Sequence, residues 1–279
     1  MISYKSKQHA MEVVDGVTPY LEFPLLAETG VVRHGFSTRL GGVSEGDFAS
    51  LNLSFKRGDK DEAVRENFRR IGIAIGVRPE DMVFTDQTHT KNIRVVQERD
   101  RGMGITHPLS YENIDGLVTN IPNICLVTFY ADCVPLYFVD PLKKVIGLSH
   151  SGWRGTVAKI GKETIHVMAE RFGSCPQDIR AAIGPSICMA CYEVSEDVIM
   201  QIKSSFPNES EQDLFYAKSN GKYHLNLWKA NELILIEAGV KPDHIAVGGV
   251  CTHCNSHLFY SHRYTGEDRG NLAAFLALE

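Results

Sequence analysis

Two side chains near the middle of the chain have the types and the surroundings of a reactive pair. Cys133 lies in "ADCVPLYFVD" and His150 in "KKVIGLSHSGWRG". Both runs read as strands, and "DPLK" between them has Asp at the first turn position and Pro at the second. With a two-residue loop at Pro141-Leu142, paired positions sum to 283, which sets Cys133 directly opposite His150. Opposed Cβ atoms lie ~5 Å apart, close enough to share a metal ion or a proton. A one-residue slip would turn the two to opposite faces. Two chemistries fit the pair. One is a thiolate nucleophile activated by imidazole. The other is a pair of zinc ligands that needs a third histidine and keeps one position open for water or substrate. His89, in the polar loop "DQTHTKN", is an available third ligand, although spacing alone does not select it.

The elements that must carry these residues alternate between strand and helix. "VVRHGF" (31–36) reads as a strand followed by a Gly-rich polar loop. Asp59-x-x-Glu62 resembles a capping box, and Val64, Phe68, Ile71 and Ile75 then step along one helical face to Gly76. Strands are expected at 82–85 and 93–97, in "DGLVTN", and in "ICLVTFY", which is apolar on both faces and therefore central. After the hairpin, "GTVAKIGKETIHVMAERFG" reads as one helix stopped by Gly173. "IRAAIG" is a strand, Ser195 is the expected N-cap of "SEDVIMQIKSSF", and Asn226 that of a helix from Leu227 to Ala238. "HIAVGG" and "LFYSH" complete the strands. The fold class expected is α+β, a mixed-sheet α/β arrangement.

Bulk properties narrow the function classes. The 279 residues are 43% hydrophobic and 23% charged, with a formal net charge of −5 and a pI near 6.1. That balance argues against a nucleic-acid surface. The polar N-terminus has no signal-type apolar region, and no apolar run approaches the ~18 residues of a membrane span. A cytoplasmic protein without a membrane or nucleic-acid partner is expected, as one domain over 1–279. Its seven cysteines would then be reduced, favouring metal binding or catalysis over disulfides.

Two Cys-x-x-Cys pairs, Cys188/Cys191 and Cys251/Cys254, are 59 residues apart, whereas the usual gap in a four-cysteine zinc site is ~15–20. Reduced, partly buried thiols are the favoured reading, with a structural metal as the alternative. The zinc-site pattern of His-x-Glu with Pro-Cys-x-x-Cys is absent.

The blocks "FSTRLGGVS", "DQTH", "DGLVT", "ADCVPL", "HSGWRGT", "IGPSI", "CYEV" and "LFYSHR" occur in order over about residues 30–270. Together they resemble the YlmD/YfiH family, also called laccase-domain or polyphenol-oxidase-like proteins. The resemblance implies two packed mixed β-sheets flanked by helices, like the catalytic domain of cytotoxic necrotizing factor. It also implies one zinc-type site of His89, Cys133 and His150. The implied activity is metal-dependent purine nucleoside phosphorolysis, in which adenosine, inosine, guanosine or methylthioadenosine plus phosphate give base and ribose 1-phosphate. Adenosine deamination accompanies it. Copper could bind a thiolate with two imidazoles, but none of the eleven histidines is two residues from another, so a multicopper oxidase is not expected.

Within these blocks, Asp132 is a candidate acid/base or partner of the ligand set. Gln87, Asp115 and Arg39 are candidate substrate contacts, and Trp153 could stack on a base. "GWRGT" opens a helix whose N-terminal amides favour an anion, so Arg154 and Arg39 are candidate phosphate ligands. The competing activities are a Cys-His amidase acting in peptidoglycan editing and a laccase-type polyphenol oxidase.

Overall fold

Long apolar runs with no solvent-facing alternation must be covered on both faces, and here they stack into two six-stranded sheets. The structure is a computed structural model that describes residues 2–5 and 10–279. The first sheet runs Glu12–Val14, Tyr20–Glu22, Val32–Ser37, Leu272–Leu278, Cys125–Tyr130, Met82–Phe84. It is antiparallel except where Met82–Phe84 joins Cys125–Tyr130 in parallel. The second runs Ile245–Val247, Arg180–Ile183, Val134–Asp140, Val145–Ser151, Gly116–Thr119, Ile93–Val95. Both of its outermost pairs are parallel. A small third sheet joins Glu193–Val194, Tyr223–Leu225 and Phe215–Ala217. This is the α+β class with mixed sheets, flanked by helices.

The period of two in each strand sorts side chains between layers. Leu126 and Leu276 of the first sheet meet Tyr137, Val139, Ile146 and Leu148 of the second in the central core. The alternate residues of the first sheet, Cys125, Val127, Phe275 and Ala277, face Val64, Phe68, Ile71 and Ile75 of the helix Asp61–Ile75. On the far side, Val134, Leu136 and Phe138 pack against Ile160, Ile165 and Met168 and against Ile234 and Leu235. Two face-to-face sheets therefore lie between outer helices. The Tyr137 hydroxyl donates across the layers to the Gly35 carbonyl at 3.0 Å.

Several expectations are corrected. The hairpin loop has four residues, because the Asp140 carboxylate accepts from the amides of Leu142 and Lys143 and Lys144 takes a left-handed φ of 52°. The register shifts accordingly, so that His150 faces Pro135 and Cys133 sits diagonally, just before the strand. The shift is two residues, so Cys133 keeps the face predicted for it.

The long helix expected after the hairpin is two, Trp153–Val157 and Ile160–Phe172, broken where Lys159 adopts φ 57°. Asp59 makes no capping box: it accepts from Ser44 and Asn52 instead, and the helix starts at Asp61. Ser195 occupies the N-cap position, but its hydroxyl donates to Asp197 and caps no amide. "LFYSH" forms no strand; Ser261 caps the short helix His262–Thr265. Leu272–Leu278, not anticipated from the sequence, is central in the first sheet and buried at every residue. No helix is long and apolar enough to cross a membrane among the described residues.

Leu276 is fully buried between the sheets. Leu276→Ala should lower the unfolding free energy by about 2–5 kcal/mol in urea titration, and a loss below about 1 kcal/mol would contradict the two-layer core.

Candidate metal and substrate site

The residues of interest come from three connections at one end of the two sheets. Loop 85–92 leaves Met82–Phe84 and carries His89; the turn entering Val134–Asp140 carries Cys133; His150 is near the end of Val145–Ser151. The donor atoms of His89, Cys133 and His150 all lie within 4.8 Å of one another, with the His89 Nε2 to Cys133 Sγ distance 3.9 Å. The two imidazole rings are edge-on at 4.9 Å.

Asp115, entirely buried, organises this group. Its carboxylate accepts from three consecutive amides, Thr88 at 3.1 Å, His89 at 3.1 Å and Thr90 at 2.8 Å. It also accepts from the Thr90 hydroxyl at 2.8 Å. These bonds hold the loop in a shape that gives His89 a φ of 65°. The same carboxylate lies 2.8 Å from His150 Nδ1, and the Asp115 carbonyl accepts the His150 amide at 2.8 Å. An ionised carboxylate requires a proton on Nδ1, so Nε2 presents its lone pair toward Cys133.

Electrostatics follow from this packing. Burial would raise the Asp115 carboxyl, but His150 and the Thr90 donors outweigh it and hold the pKa at about 2. Burial opposes the charged forms of Cys133 and His150 as well. Even so, His150 and His89 draw the Cys133 thiol down to about 6, while Cys133 and Asp115 raise His150 to about 9. Two imidazoles and a thiolate, one imidazole oriented by a carboxylate, form a donor set suited to one zinc- or copper-type ion. It is the only imidazole-containing group of this kind among the described residues. That is too few imidazoles for a multicopper cluster.

Gly152 has a tight-packing role. A Cβ there would stand 2.8 Å from His89 Cδ2 and 3.1 Å from Cys133 Sγ. The "HSGWRG" glycine thus lets the turn press against the ligand group. The helix that follows is only five residues long, too short to make the expected anion cradle. Trp153 packs against the apolar cluster of the second sheet, and the Arg154 guanidinium lies 4.3 Å over its ring.

The three donor residues open onto a cavity of about 840 Å³. Phe55, Tyr111 and Phe129 supply apolar walls, and Lys56, Arg57 and Arg269 supply positive charge. Arg57 pairs with Glu267 at 2.7 Å and Lys56 with Asp86 at 2.6 Å. The Nε atoms of both Arg57 and Arg269 are buried without a hydrogen-bond partner. Burial, followed by the repulsion of Arg57, lowers the Arg269 guanidinium to about 10.

Other expected contacts are reassigned. Neither Arg39, Trp153 nor Arg154 lines this cavity. Arg39 donates to the carbonyls of Ala49 and Ser256 and lies over Tyr260, which fixes its own loop. Asp115 is sealed behind His150 and cannot reach a substrate. Asp132 accepts from the Thr252 hydroxyl at 2.6 Å and the Arg263 amide at 2.7 Å, one on each carboxylate oxygen, so it anchors the turn before Cys133. Gln87 borders the cavity, but its amide is clamped on the backbone of Phe129. Sequence reasoning singled out neither Arg57 nor Arg269; the "SFKRGD" run offered only a pair of basic residues, with nothing to mark burial.

Fold and site thus define a two-sheet α+β protein with one His-Cys-His group at a ligand-sized cavity. The chain belongs to the family described as "Multi-copper polyphenol oxidoreductase laccase", whose profile matches residues 33–279. It is 39% identical over 246 residues to the purine nucleoside phosphorylase YlmD of Bacillus subtilis (strain 168), covering 88% of each chain. It is 34% identical over 237 residues to the adenosine deaminase RL5 of an unknown prokaryotic organism, covering 84% of this chain and 90% of that one. The crystal structure of YlmD from Geobacillus stearothermophilus superposes with a TM-score of 0.90 at 35% identity, covering 98% of this chain and 100% of the other.

The depressed Asp115 pKa has a signed consequence. A carboxyl held at about 2 against its ordinary 3.8 contributes stability that is complete above the ordinary value and is lost as pH falls through the folded one. Asp115→Asn should therefore unfold more easily than the parent by about 2 kcal/mol at pH 7, and the gap should close near pH 2. A gap independent of pH, in urea titrations at both values, would contradict this role.

Proposed function

We propose that the protein is a metal-dependent purine nucleoside phosphorylase with a secondary adenosine deaminase activity. The observation that carries this reading is the join of one His-Cys-His donor group to a cavity lined by aromatic rings and by the guanidinium-bearing Arg57 and Arg269. The kinship with enzymes named for these two activities supports it. His89, Cys133 and His150 would hold the ion, with Asp115 as the positioning residue that fixes the tautomer of His150. When bound, a zinc-type ion with three protein ligands and an open position supplies a Lewis acid beside the substrate.

The chain's own residues account for substrate selection. Phe55, Phe129 and Tyr111 offer flat apolar faces to a purine. Phosphorolysis breaks the bond from ribose C1′ to the base nitrogen, which leaves with the electron pair, and a phosphate oxygen bonds to C1′. Phosphate must be held near the positive charge that develops on the ribose. Arg57 and Arg269, two guanidiniums with unpartnered buried Nε atoms in one wall, are suited to that anion. They replace Arg39 and Arg154 in this role. The full 279 residues act as one catalytic domain in this reading, because the C-terminal strand Leu272–Leu278 is an inner strand of the first sheet.

One observation favours a second reading, a Cys-His amidase: the Cys133 thiol drawn down to about 6 between two imidazoles. A chelator separates the two, since loss of turnover fits a metal enzyme and indifference fits a thiol nucleophile. The direct test follows inosine cleavage with and without phosphate. Turnover should require phosphate and yield ribose 1-phosphate, and Cys133→Ala should abolish both turnover and metal binding at the His89, Cys133 and His150 group. Free ribose formed equally fast without phosphate, or full turnover by Cys133→Ala, would overturn the proposal.

A further inference from the structure

A second group of soft ligands lies outside the cavity. Cys188 precedes and Cys191 ends the single helical turn Met189–Cys191, and Cys251 and Cys254 frame the turn "CTHC" that follows Ile245–Val247. The 59 residues between the pairs are closed by the fold. Ser186 and Cys251 form a parallel bridge, the Ser186 amide donates to Val250 at 3.1 Å, and the Thr252 amide donates to Ser186 at 3.2 Å. All four sulfurs then lie within 4.8 Å of one another. None is in a disulfide.

The surroundings crowd the four sulfurs against one another and against backbone amides. The amides of Cys188 and Cys254 donate to Cys251 Sγ at 3.3 and 3.4 Å, and Cys191 and Cys254 sulfurs are 3.5 Å apart. The Lys5 side chain hydrogen-bonds Cys254 and lies within the field of Cys188 and Cys251, a cation beside what would be an anionic centre. Tetrahedral zinc holds four sulfurs at about 2.3 Å, which puts neighbouring sulfurs about 3.8 Å apart, and small side-chain movements bring this group to that size. The apolar cluster here is slight, with only Ile187, Cys188 and Cys251 buried in it.

We propose that Cys188, Cys191, Cys251 and Cys254 bind a structural zinc ion, distinct from the ion at His89, Cys133 and His150. Four protein ligands leave no open position, so the site is closed to substrate. Its effect reaches the cavity through Asp132. Thr252, inside one Cys-x-x-Cys turn, donates to the Asp132 carboxylate at 2.6 Å. Ile187, next to the other turn, donates its amide to the Asp132 carbonyl at 3.0 Å. Tying the two turns together therefore fixes the residue beside Cys133. The site would be present whatever the cavity binds.

The test is elemental analysis of the full-length protein together with cobalt substitution. The parent should carry two zinc ions per chain, and Cys133→Ala should keep one. The double variant Cys191→Ser, Cys254→Ser should lose the other and melt at lower temperature. Cobalt-loaded Cys133→Ala should show the strong charge-transfer absorption of a tetrathiolate, and this spectrum decides the matter even if the double variant does not fold. Cys133→Ala without zinc or a cobalt–thiolate band, a Cys191–Cys254 disulfide in the freshly purified protein, or iron in place of zinc would overturn the assignment.

Discussion

Much of the active end of this molecule depends on the Asp115 carboxylate. A buried, ionised carboxylate is costly unless its oxygens are fully engaged, and here the partners are the pieces of the site itself. Three successive amides of the His89 loop, the Thr90 hydroxyl and the His150 imidazole converge on it. One charge thereby sets the shape of a loop from the first sheet and the tautomer of a histidine in the second. The two donor histidines are positioned relative to each other by a residue that never meets substrate.

The third donor is positioned separately. Cys133 follows Asp132, whose φ is 87° and whose carboxylate is anchored by Thr252 and Arg263. Those anchors belong to the segment that carries the second pair of clustered cysteines. Gly152 closes the arrangement from the remaining side, because any larger residue would collide with His89 and Cys133. The glycines of "HSGWRG" therefore reflect crowding around the donor group. The donor group and the guanidiniums of Arg57 and Arg269 line the same cavity.

The parts of this arrangement that were legible in the sequence are those governed by local pattern. The helix Asp61–Ile75 announces its buried face through Val64, Phe68, Ile71 and Ile75, and Asn226 caps its helix by accepting from Lys229. Cys133 and His150 were matched although the loop was misjudged, because an error of two residues preserves the face of a strand. The illegible parts depend on tertiary partners. Asp140 turns a two-residue loop into four, and Lys159 breaks a helix with a left-handed backbone that no lysine advertises. Leu272–Leu278 is rich in alanine, a poor strand former, and is held by neighbours on both sides. Asp115 and Asp132 look like substrate residues in a linear motif; only their burial and their hydrogen-bond partners reveal support roles.

The central claim is that Asp115 holds His89 and His150 in place for one metal ion shared with Cys133. It is tested most directly by the zinc affinity of that site, defined as the zinc removed by Cys133→Ala and measured by chelator competition. Asp115→Asn should bind this ion about 10–100-fold more weakly than the parent. An unchanged affinity would contradict the account.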